Sequence, residues 1–214
     1  MRHPARSGLR SIVLLFLMVV PLPALAQGAT STNDPLSTEE EASLDEIRDF
    51  VQAAARRYRM VAPLEVSVAS WVGSGSLPQY ANTSAVYASG YLYVHRRVLR
   101  ASNRDLVIAK AIAYEMLRAP SKATTLAERE RERGALALDS NARAVDILVQ
   151  VKGVTEEAAV EHMYAWLLAI HRAAGPGGRP PPAGSVTPCD QIADLLQRYP
   201  AVKERYAGRE CVAG

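Results

Sequence analysis

An α+β fold in which helices outweigh strands is predicted by three features of the chain. A helical pattern covers residues 37–60, three short strand-like segments fall between residues 64 and 95, and helical patterns fill most of the remainder up to Tyr206. The sheet should be small, antiparallel or mixed, and a disulfide should clamp the last helical segment.

Each element has its own warrant. Ser37 and Glu40 have the spacing of a capping box, and Glu39, Glu40 and Glu41 put negative charge at the positive end of a helix dipole. Leu44, Ile47, Val51, Ala54 and Tyr58 continue as an amphipathic stripe that should end near Met60. Pro63 then separates the helix from a strand over Leu64–Val68, and a loop runs through Gly73, Ser74 and Gly75. Ser84–Ala88 and Tyr91–His95 read as two more strands around Gly90, with Tyr91, Tyr93 and His95 on one face and Leu92 and Val94 on the other. Arg96–Ala101 suits a short helical segment, and Ser102 with Asp105 suits a second capping box.

From Asn103 to about Ala119, Leu106, Val107, Ile108, Ile112, Met116 and Leu117 lie nearly all round the helix, which marks it as central. Pro120 stops it. A longer helix follows over Leu126–Val151; its Glu128–Arg133 half alternates acid and base as a solvated face, and Ala135–Val151 should pack inward. Gly153 closes that helix, and Thr155 caps one from Glu156 to about Ala173 with Val160, Met163, Trp166, Leu167 and Ile170 inward. Residues 175–183 are rich in Gly and Pro and form a loop; Thr187-Pro188 then opens a terminal helical pair, Cys189–Arg198 and Ala201–Tyr206.

The composition, 49% hydrophobic and 22% charged over 214 residues, suits one globular domain. Arg2, Arg6 and Arg10 precede an apolar run over Ile12–Val20, and Ala24-Leu25-Ala26 follows as a small-x-small cleavage signal. Residues 1–26 are therefore expected to be a secretory signal peptide cut after Ala26, directing the chain to the periplasm or the exterior; a retained anchor is the alternative. Residues 27–36 form a flexible linker, 37–174 the main domain, 175–187 a loop, and 188–214 a helical segment of the same domain. No membrane-spanning segment is expected after the signal is removed. Without the three leader arginines, 22 Lys and Arg balance 22 Asp and Glu, so the formal charge of +3 gives no support to a nucleic-acid partner.

Export makes the two cysteines legible. Cys189 and Cys211 should be joined in an oxidising compartment, which for a loop of that size stabilises by roughly 3 kcal/mol. Free thiols or a cysteine metal site are the alternative, with no histidine close to them in the sequence. His162 and His171, nine residues apart, are too far apart on one helix to chelate together, and His95 lies on a strand. No metal and no cofactor are expected.

Tyr114-Glu115-Met116-Leu117-Arg118 has the spacing of the His-Glu-x-x-His helix of zinc peptidases, with both histidines replaced. Taken with Tyr91–Leu99, Asp105–Glu115 and Ala137-Leu138-Asp139-Ser140-Asn141-Ala142, the chain resembles the gluzincin metallopeptidases of the HtpX and CAAX-prenyl-protease type over roughly residues 45–175. The resemblance implies a zincin-like helical domain. It equates Tyr91–Leu99 with the family's edge strand and following turn, Tyr114 and Arg118 with the two histidine ligands, Ala137 with the glutamate ligand, Glu115 with the general base, and Asp139 with the aspartate beyond the third ligand. Zinc needs about three ligands from Cys, His or carboxylate, and a permanently charged guanidinium cannot be one. A non-catalytic, secreted binding or scaffolding module with a protein or peptide partner is therefore expected, with Tyr87, Tyr91, Tyr93 and His95 as candidate binding residues on an edge strand. The alternative is a hydrolase with a rearranged or metal-free site around Glu115. Arg118 is expected to replace the lost cation by a buried salt bridge to Glu115, Asp139 or both, tying two helices together; pointing to solvent is its alternative.

Overall fold

A computed structural model describes residues 35–60, 65–69, 85–88, 91–174, 185–206 and 211. The predicted leader, residues 27–34 of the linker, the loop through Gly73–Gly75 and most of the Gly/Pro-rich loop lie outside the described residues. Helix α1 (Thr38–Arg57) precedes strands β1 (Glu65–Ala69), β2 (Ala85–Ala88) and β3 (Tyr91–His95). A 3₁₀ turn over Arg96–Arg100 leads into α2 (Arg104–Leu117), followed by α3 (Leu126–Lys152), α4 (Glu156–Ala174), α5 (Pro188–Arg198), the short α6 (Pro200–Lys203) and a closing 3₁₀ turn. No helix among the described residues is long and apolar enough to cross a membrane.

The three strands run in the order β1-β3-β2, with β1 parallel and β2 antiparallel to β3. The all-antiparallel arrangement is thus excluded by the β1–β3 pair. Leu92 and Val94 are fully buried while Tyr91 is 40% exposed, as alternation along β3 requires. One core runs through the molecule: Ile47, Val51, Leu92, Val94, Ile108, Ile112, Ile147, Met163, Leu167 and Leu195 are all buried in it. Helix α2 touches β2, α1 and, most extensively, α3, while α5 packs on α3 and α4.

Capping residues set several boundaries. Ser37 and Glu40 close the expected capping box of α1, Thr187 and Asp190 close one on α5, and Gly153 ends α3 in the left-handed region at φ 68°. Thr125 and Glu128 form a further box at the start of α3. The box expected from Ser102 and Asp105 does not form. Asn103 takes the cap position without a side-chain hydrogen bond, and the Asp105 carboxylate is drawn instead to Lys152 Nζ on α3 at 2.9 Å. Helix α2 also stops at Leu117, two residues early, because Pro120 disfavours helical backbone at Ala119 and has no N–H for the carbonyl of Met116.

Candidate functional site

The last turn of α2 presents the residues equated with the peptidase helix. Tyr114 and Glu115 are both partly buried, and burial raises the pKa of each. Around Tyr114 this is opposed by the positive charges of Arg118 and, across the α2–α3 seam, of Arg133. Arg133 is one turn before Ala137 on α3, so the seam brings the Tyr114 and Ala137 positions to neighbouring surfaces. Arg133 itself pairs with Glu130, Nη1 to Oε1 at 2.7 Å.

Arg118 does not bridge the helices. At the C-cap of α2, its N–H still donating to the Tyr114 carbonyl at 2.9 Å, it pairs with Glu115 of its own helix, Nη2 to Oε1 at 3.2 Å, with 46% of its side chain exposed. Asp139 turns elsewhere, accepting from Arg198 Nη2 of α5 at 2.9 Å. Of the expected pairing with Glu115, Asp139 or both, the Glu115 pair thus forms, but within one helix and half exposed, while Asp139 is taken by Arg198, so the buried bridge that would tie two helices is absent among the described residues. The reason is geometric: the i,i+3 spacing on α2 puts the Glu115 carboxylate within reach of the Arg118 guanidinium, whereas the Asp139 carboxylate is already held by Arg198.

The tyrosine-bearing strand also departs from expectation. β3 is hydrogen-bonded to β1 on one side and β2 on the other, so it is the central strand and cannot receive an added peptide strand. Tyr91 and Tyr93 do share its outer face, their ring centroids 5.9 Å apart and tilted by 33°. Tyr87 is paired in register with Leu92 rather than with that row. His95 is a cap: its Nδ1 accepts from the backbone N–H of Arg97 at 3.1 Å. Burial, together with the charge of Arg97, pulls its pKa down to about 4, which keeps the imidazole neutral and suited to that acceptor role at neutral pH.

Two arrangements escape sequence reasoning. Lys110 lies in α2 with only 6% exposed; its ammonium donates to Asn141 Oδ1 on α3 and sits 4.5 Å from the centre of the Trp166 ring on α4. Asn141 in turn donates from Nδ2 to Gln191 Oε1 on α5 at 3.0 Å, so one polar chain links α2, α3 and α5 and passes α4. Burial brings the lysine pKa down to about 7. The available signal was a single lysine within a helix apolar nearly all round. The second arrangement is the contact of His171 of α4 with the disulfide between Cys189 and Cys211, a bridge that forms as expected with Cα atoms 5.3 Å apart. Only the fold brings that histidine there, since 18 residues separate it from Cys189.

Among the described residues, the grouping of three His, Cys or carboxylate side chains close enough to hold a metal is His171, Cys189 and Cys211, and not the α2–α3 seam. No protein-family model, curated protein or solved structure matches the chain.

Proposed function

We propose that the chain is a non-catalytic, metallopeptidase-like module of the cell envelope, exported by its N-terminal leader, that binds or scaffolds a protein or peptide partner. One observation carries the reading: a phenol, a guanidinium and a methyl group occupy the three positions equated with zinc ligands, and the guanidinium is paired with the carboxylate equated with the base. Glu115 then has no metal-activated water to deprotonate. The outer row of Tyr91 and Tyr93 is the recognition surface in this reading, since amphipathic rings give large contact area at low entropic cost. Elemental analysis of the exported protein with its disulfide closed, together with an assay on unfolded polypeptide, tests it. The expected result is no stoichiometric zinc and no cleavage. Bound zinc with hydrolysis abolished by Glu115→Gln would overturn it in favour of an enzyme.

A further inference from the structure

The His171 imidazole contacts the Cys189–Cys211 bridge, its Nδ1 3.4 Å and its Nε2 3.9 Å from Cys189 Sγ. One ligand atom from each of the three residues lies within 4.8 Å of the other two, and all three side chains are half-buried. We propose that this cluster is a redox-gated zinc site: closed as a disulfide it holds no metal, and opened by a dithiol it binds zinc through His171, Cys189 and Cys211.

The chemistry balances. A dithiol reductant closes to its own disulfide and delivers two electrons and two protons, leaving Cys189 and Cys211 as thiols. Zinc then displaces the two thiol protons and binds two thiolates and a neutral imidazole, with water as the fourth ligand. Tetrahedral zinc with Zn–S of about 2.3 Å and Zn–N of about 2.0 Å holds sulfur and nitrogen ligands about 3.5 Å apart. The imidazole already stands at that separation from Cys189. Cys189 is also the second residue of α5, where unpaired backbone N–H groups favour a thiolate. Ile170 and Ile192, next to or near the ligands on α4 and α5, are buried in the common core, so two of the three ligands come from anchored helices. Partial exposure leaves an approach for the metal and its water.

The test uses the full exported chain, purified with its bridge closed, reduced with a phosphine and desalted without oxygen. Zinc titrated against a chromophoric chelator should bind stoichiometrically to the reduced protein and not to the oxidised one. Cobalt in its place should give tetrahedral d–d bands with thiolate charge-transfer absorption. His171→Asn, checked for folding while its bridge is still closed, should weaken zinc binding by about tenfold or more and alter the cobalt spectrum. If reduction loosens the terminal segment, zinc should restore the lost ellipticity in the parent and not in the variant. Absence of zinc binding after reduction, or equal affinity in His171→Asn, overturns the proposal. Either failure leaves the α2–α3 reading untouched, because that reading is tested with the bridge closed.

Discussion

Arg96 grips Glu40 by two parallel hydrogen bonds, Nε to Oε1 at 2.9 Å and Nη2 to Oε2 at 2.6 Å. The same carboxylate accepts the backbone N–H of Ser37 at 2.9 Å and lies 3.2 Å from Arg100 Nε, while Arg96 Nη2 also reaches the Pro35 carbonyl at 3.0 Å. One buried side chain thus completes the cap of α1 and fastens that helix to the turn after β3. The hydrogen bonds from Arg96 hold its pKa at about 2, against the opposing effect of burial.

Glu40 should make the fold acid-sensitive over a defined range. An unfolded glutamate titrates near pH 4.3. The unfolded chain therefore binds the proton first, and the contribution of the pair, complete above that pH, is lost as pH falls towards about 2. Glu40→Gln should lower stability at neutral pH by about 3–5 kcal/mol, as for a broken buried pair, and flatten the loss between those two pH values. Urea unfolding at a series of pH values measures both.

Lys110 should act in the same direction in a higher pH window. Its folded pKa of about 7 lies below the unfolded value near 10.4, so the unfolded chain holds more protons between the two and stability should rise with pH across that interval. The groups that its ammonium meets among the described residues, Asn141 and Trp166, carry no charge. Lys110→Met should remove the rise. An unchanged slope in the variant would show that the lysine is not the group responsible.

Arg118→Ala should cost less than about 1 kcal/mol, because the Arg118–Glu115 pair is local and half exposed. A buried bridge between helices would cost several times more. The melting temperature of the variant separates the two cases.

What the sequence made legible was local. Ser37 with Glu40, Thr187 with Asp190, and Gly153 are caps whose partners lie within a turn, and the Leu92/Val94 alternation needs no knowledge of the rest of the chain. The Cys189–Cys211 pairing followed from there being two cysteines. The Thr125–Glu128 box was equally local and was obscured by the acid–base alternation that follows it. What stayed hidden depends on chain separation. Lys110 meets Asn141 across 31 residues and Asn141 meets Gln191 across 50, so no window of periodicity contains the network. The end of α2 at Leu117 follows from Pro120 three residues ahead, a rule about backbone that side-chain spacing conceals.

Gly134 tests how closely the segment before α5 is seated on α3. A Cβ built there would collide with Cγ2 of Val186, whose β-branched side chain has little rotameric freedom to yield. Gly134→Ala should therefore destabilise by about 1–3 kcal/mol despite the better helix propensity of alanine. Gly134→Ala combined with Val186→Ala should recover much of the loss, and a thermal-unfolding double-mutant cycle reads the coupling.

The strand order β1-β3-β2 also bears on the sequence of events in folding. β2 and β3 are separated by two residues, a short loop to close, whereas β1 must close a span of 21 residues to reach its parallel partner and is expected to dock later. Until it docks, one side of β3 offers unpaired amides and carbonyls to any passing strand. The late arrival of β1 makes this the interval in which the nascent chain is most open to mispairing with another copy of itself.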